Sequence, residues 1–134
     1  MSETAVMGTA NREVAIAFDT TQSLKRLYLI VDRQLRLTMV CMGELNFPHA
    51  VEVIIDELTE TVRVRRVVEG TEGAFPVTWR GKILDSEPLC ARIRAALEQL
   101  EEYQLKIPGI RDAEGTLHFT YRRRQVIILQ RPVA

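Results

Sequence analysis

Long hydrophobic runs are missing from this chain. No uninterrupted apolar stretch exceeds about six residues, far short of the roughly twenty that span a bilayer. Cysteine is scarce. Cys41 and Cys90 are the two present, too few and too far apart for a disulfide framework, and both lie in apolar or amphipathic stretches. They are expected to be buried free thiols in a reducing cytosol. The first residues, MSETAVMGTANR, carry neither an apolar signal core nor a positive leader, so a soluble, cytoplasmic protein is expected. Lysine is rare as well, three against fifteen arginines, a bias that genome base composition can produce and that carries no functional signal by itself.

Motifs that carry chemistry are absent too. No serine sits in a nucleophile elbow. General acid–base catalysis needs at least two positioned titratable groups, and the carboxylates Asp56, Glu57 and Glu60 suit a solvated face near a helix end. Cys41, His49, Cys90 and His118 are the minimum inventory for a Cys2His2 zinc site, but none of them is paired at ligand spacing. Gly70-Thr71-Glu72-Gly73 spells the GxxG that clamps a nucleic-acid backbone between two helices. Here its flanks read as strands, and Glu69 and Glu72 would repel phosphate, so it is expected to be a hairpin turn. The expectation is a protein that is not an enzyme and that takes no cofactor and no metal.

What is present suits one domain. The 134 residues, 46% apolar and 27% charged, can bury a core large enough to fold without disulfide or metal. Formal net charge is zero, which argues against a chain devoted to nucleic acid through bulk charge. The charges are unevenly placed. Residues 1–60 carry five basic and nine acidic side chains, and residues 106–134 carry six basic and two acidic. Such asymmetry means either two partner surfaces of opposite sign or mutual cancellation across the fold or a dimer contact.

Small polar residues 1–12 read as a disordered tail, leaving 13–134 as the domain. Val14, Ile16 and Phe18 alternate as a strand does. Asp19 and Gln22 have capping-box spacing, and Leu24, Leu27, Tyr28, Val31, Leu35, Met39 and Met42 share one helical face, so a helix is expected over 20–42 with Gly43 as its stop. The rival for 24–42 is a β-hairpin of 26–31 and 35–41 turning at Asp32-Arg33-Gln34, because Leu35, Leu37, Met39 and Cys41 also alternate. Pro48 suits the first turn of a second helix running to Thr59, with Val51, Ile54, Ile55 and Leu58 buried. Residues 61–68 read as a strand with a bulge at Arg65-Arg66, forming a hairpin with 74–84. A third helix starts at Ser86 and carries Leu89, Ile93, Ala96, Leu97, Leu100 and Tyr103 as one stripe. After the turn signal DAEG come strands 116–122 and 124–131.

This order predicts an α+β fold: a single antiparallel or mixed sheet of about five strands with two to three helices on one face. It matches the βαββαβ order of ferredoxin-like folds with an extra C-terminal strand, a pattern that by itself implies no function.

The most suggestive stretch is HFTYRRRQVIILQR, residues 118–131. Phe119 and Tyr121 share one strand face, and Arg122, Arg123 and Arg124 follow them. If both rings are exposed they make a stacking platform with phosphate clamps, to which Arg63, Arg65 and Arg66 would add. If they face the core, the arginines mark a turn or guard an edge strand. The preferred expectation is the second, in a small non-catalytic protein-interaction or regulatory module. Such a module would be homo-oligomeric, pairing through its aliphatic last strand with a second copy or a protein partner. The alternative is RNA or single-stranded nucleic-acid binding through the basic C-terminal hairpin.

Overall fold

The structure, a computed structural model, describes residues 27–98 and 103–128. The expected tail over 1–12, the strand at 14–18 and the capping box at Asp19 and Gln22 lie outside the described residues.

Eight strands form a strongly curled antiparallel sheet in the order β2-β1-β6-β7-β4-β3-β5, with β8 also on β6. They are β1 (Leu27–Val31), β2 (Leu35–Leu37), β3 (Ala50–Asp56), β4 (Thr61–Arg66), β5 (Phe75–Pro76), β6 (Tyr103–Arg111), β7 (Leu117–Thr120) and β8 (Gln125–Ile128). Among the described residues two α-helices accompany them, α1 (Met39–Glu44) and α2 (Glu87–Leu97). The expected α+β, ferredoxin-like arrangement of five strands and two or three helices is therefore corrected to a strand-rich curled sheet. Curling brings the sheet's two ends together. Val77 bridges Ile83, Lys82 bridges Arg36 on β2, and the Leu37 and Ile83 amides donate to Gly81 O and Leu35 O, each at 2.8 Å.

Where two helices are expected, 27–31, 35–37 and 50–56 are strands, and the first expected helix survives only at its end, in Met39–Glu44. Leu27, Leu29 and Val31, then Leu35 and Leu37, point into the curl and are fully or almost fully buried, so alternation prevails over helical spacing in 27–37. Asp32-Arg33-Gln34 is the turn of that hairpin. Residues 50–56 are rich in β-branched side chains, and β3 pairs with β4 without interruption from Val51↔Arg66 to Asp56↔Thr61. The bulge expected at Arg65-Arg66 is absent from that register. β5 does not form a hairpin with β4; it lies on the opposite edge of β3, through Ala50↔Pro76 and Val51↔Phe75.

Helix α2 begins where expected but ends at Leu97, and Tyr103 belongs to β6. Ser86 does not cap it through its side chain. Its hydroxyl instead donates to Ile83 O (2.6 Å) and accepts from the Leu35 amide (2.8 Å), tying α2 to the seam of the curl. The helices lie at opposite ends of the strands. Arg94 of α2 reaches Val31 O and Arg92 reaches Glu57, whereas α1 holds Arg111 through Glu44, and the turn that follows it holds Arg66 through Leu45 O and Asn46 O.

Sequence reading misses β6 altogether, because IPG at 107–109 resembles a break. Pro108 is accommodated by its surroundings. Tyr28 O is taken by the Thr38 amide on the β2 side, so by the alternation of the ladder Pro108, opposite Tyr28, turns its donorless nitrogen away from β1. It points to where the partner strand is interrupted. Lys106 pairs with Gln125 and Gly109 with Phe119, so three extra residues bulge out on the partner between these pairs. Those residues are a single 3-10 turn, Tyr121–Arg123.

The core is continuous, and Tyr121 and Phe119 are its largest fully buried side chains. Gly109 lies opposite Phe119, and a Cβ there would come within 2.7 Å of ring atom Cε1 and 2.8 Å of His118 O. Gly109→Ala therefore forces the ring or the β6–β7 ladder to shift, at an expected loss of about 1–3 kcal/mol in urea denaturation. Unchanged stability would show that the Phe119 pocket is slack.

Candidate functional site

The stretch from β7 to β8 is one strand broken by a turn, not a hairpin, since both halves run in the same direction along one edge of β6. Phe119 and Tyr121 are 0% and 1% exposed, inside the curl. Neither ring is on the surface, so no stacking platform stands beside the three arginines.

The arginines occupy the turn and its exit. Arg122 Nε donates to Glu60 Oε1 at 2.7 Å, fixing the turn against the β3–β4 loop, and the Tyr121 amide donates to Glu60 O at 3.0 Å. Arg123 is exposed, and Arg124 is half-buried. The other basic candidates are on β4. Arg63 and Arg65 project outward, with Arg65 bonded to Glu52 at 2.6 Å, while Arg66 turns to the carbonyls of Leu45 and Asn46. Arg66 and Arg122 lie at opposite ends of the β4–β7 pair. The structure thus disperses the six arginines and ties three of them into the fold through Glu60, Glu52 and backbone oxygens, with Arg123 engaged as well.

Asp56 ends β3 and Glu57 and Glu60 lie in the β3–β4 turn, not at a helix end. Asp56 Oδ1 accepts from the Leu58 and Thr59 amides, and Glu57 faces Arg92 at 3.6 Å. Around Tyr121, burial raises the phenol pKa, the Glu57 and Glu60 carboxylates raise it further, and Arg92 opposes them. Asp112, in the β6–β7 turn, accepts from the Glu114 and Thr116 amides and bonds His118 at 2.8 Å. Burial opposes its ionisation, but those bonds win and hold its pKa below the usual carboxylate value. His118 serves this turn, and His49 is exposed beside an open depression of about 400 Å³. Among the described residues, no three His, Cys, Asp or Glu side chains gather in a way that could hold a metal, and no helix is long and apolar enough to cross a membrane.

β8 has one edge without a strand partner among the described residues. Its one sheet partner among the described strands is β6, because β4 continues alongside only as far as Thr120 and the Tyr121 amide. Val126 shares a face with buried Leu105 yet is 45% exposed, and Ile127 on the other face is 38% exposed. The sequence marks these residues as aliphatic. Only the topology shows that their strand has an open edge.

A second surface has no counterpart among the expected sites. Tyr28, Arg36 and Lys106 stand on the outer face of β1, β2 and β6, with Trp79 and Arg80 at the tip of the neighbouring hairpin. Reading 27–37 and 103–111 as alternating strands would have exposed it, because these residues occupy the positions between the buried leucines and isoleucines.

Both thiols are buried and free. Burial pushes Cys41 up from its ordinary value and pushes Cys90 up to about 12, the latter against the pull of Arg94. A group whose native pKa is raised stabilises fully below its unfolded value and loses that contribution as pH climbs through the native one. Native stability should therefore decline between about pH 9 and pH 12. At about pH 8 neither thiol should react with Ellman's reagent until denaturant is added. Rapid labelling of the native protein would contradict the burial of both.

No protein-family model, no curated protein and no solved structure matches this chain.

Proposed function

We propose that the protein is a small non-catalytic interaction module that associates with a second copy of itself through the edge of β8. The observation that supports this reading is the edge itself: among the described residues the strand is paired on one side only, with apolar side chains exposed on both faces. Such an edge invites another strand, because backbone donors and acceptors find partners there while the flanking side chains leave water. A two-fold axis lets β8 meet the same residues of its copy in antiparallel register, satisfying both edges at once. The titratable groups around the turn are spent on structure. Glu57, Glu60 and Asp112 hold Arg92, Arg122 and His118, which suits a scaffold better than an acid–base site.

Nucleic-acid binding through the arginine turn is the weaker alternative, since Phe119 and Tyr121 are inside the core.

Alternation along the β6 ladder directs the Ile127 amide to β6 and the Val126 amide to the open edge. Val126→Pro should therefore remove an outward donor while leaving the β6–β8 pairing intact. Light scattering at micromolar concentration should give twice the 15.3 kDa chain mass for the parent protein and the single mass for the variant, with matching far-ultraviolet spectra. A parent chain that is cleanly monomeric would refute the proposal.

A further inference from the structure

The outer face of β2, β1 and β6 carries a row of cations. Lys82 bridges Arg36, Arg36 is in register with Ile30, and Ile30 is in register with Lys106. The row crosses four neighbouring segments, or roughly 14 Å at about 4.8 Å per strand. Arg36 and Lys82 are exposed. Among the described residues no ion pair involves Arg36, Arg80, Lys82 or Lys106, although other surface arginines pair with Glu52, Glu57 and Glu60.

Aromatic rings accompany this row: Tyr28 stands beside Lys106, and Trp79 lies on the turn that leads into Lys82. The Lys106 ammonium is 4.2 Å from the centroid of Tyr28, and the Arg80 guanidinium is 4.8 Å from the centroid of Trp79. Trp79 is 70% exposed. Its exposure is built in, because the turn that carries it is closed on itself. The Thr78 amide donates to Lys82 O and the Gly81 amide to Thr78 O, both at 2.9 Å, and the Lys82 amide donates to Thr78 Oγ1 at 3.1 Å. Gly81 has φ 95°, and a Cβ there would strike Leu37 O, so the tip is also pinned to β2. A large apolar ring held rigidly in water forgoes burial that would stabilise the fold, which is typical of binding surfaces and not of packing.

We infer that this face binds single-stranded nucleic acid: Arg36, Lys82 and Lys106 track the phosphates, while Trp79 offers its exposed ring to unpaired bases. Base stacking selects single strands over duplexes, whose base faces are covered. An acidic peptide would engage the cations and leave the indole idle. The surface is separate from the β8 edge and from the arginine turn.

Trp79 is the single tryptophan of the chain, so its fluorescence reports this surface directly. The full chain is titrated at low salt with an oligothymidylate of about fifteen nucleotides, with heparin, and with vesicles containing phosphatidylserine. The oligonucleotide should quench Trp79. In mobility-shift assays Trp79→Ala should weaken binding roughly ten-fold. The double variant Arg36→Gln with Lys82→Gln should lower the log–log salt slope by about 1.4, or about 0.7 for each lost phosphate contact. Arg122→Gln should change neither quantity, and unchanged thermal melting confirms that each surface variant folds. Three results would overturn the inference: no response to the oligonucleotide; heparin binding as tightly while Trp79→Ala leaves oligonucleotide affinity intact; or a blue shift on vesicles alone.

Discussion

Hydrogen bonding along both sides of β6 is the constraint on which the rest of the structure depends. One side is paired with β1 from Leu105 to Gly109, and the other is shared in succession by β8 and β7. Pro108 cannot donate, so a partner strand running unbroken past it would leave an acceptor without its bond. The chain resolves this by bulging as a 3-10 turn, and the three arginines take up residence at the bulge. Their position follows from backbone requirements: residues expelled from a ladder face solvent, and charge is what solvent-facing positions tolerate. Gly109 makes the complementary concession on the inner side, leaving room for the Phe119 ring.

A formal charge of zero conceals a division of labour. Glu44, Glu52, Glu57 and Glu60 each neutralise an arginine, and Asp112 orders the β6–β7 turn with His118. These pairs lie around the helices, the β3–β4 hairpin and the arginine turn. The outer face of β2, β1 and β6 has a different character, with cations beside aromatic rings and no such pairs among the described residues. Exposed pairs of this kind add little to stability. Their larger consequence is to decide which side of the molecule presents net positive potential.

Open edges and exposed rings are liabilities in a curled sheet, and the described residues keep some of both, β8 and Trp79 among them. Elsewhere it closes the curl: isolated bridges at Lys82 and Ile83 join β2 to the far end of the sheet, while Ser86 locks α2 into the same seam. Against so much closure, the side of β8 that has no strand partner among the described residues and the water-exposed Trp79 are features that folding alone does not explain.

Several things could be read from the sequence alone. The sequence showed a single set of short amphipathic segments, thiols destined for burial, and a turn at Asp112–Gly115, where an aspartate and a glycine meet the demands of tight turns. It also showed Ser86 as the start of a helix, although not what its hydroxyl does. The identity of the strands was hidden. Residues 27–37 and 50–56 satisfy both periodicities over such short lengths, and the choice belongs to neighbours far away in sequence: β6 at Leu105–Gly109 for β1, and β4 for β3. β6 itself was obscured because proline and glycine signal breaks locally, whereas a bulge across the sheet and a ring in need of space make both residues fit. Which side chains share a surface is equally a tertiary matter. Lys82, Arg36, Tyr28 and Lys106 come from three separated segments and meet only because antiparallel register sets them side by side, while the arginines at 122–124, contiguous in sequence, are dispersed by the turn they occupy.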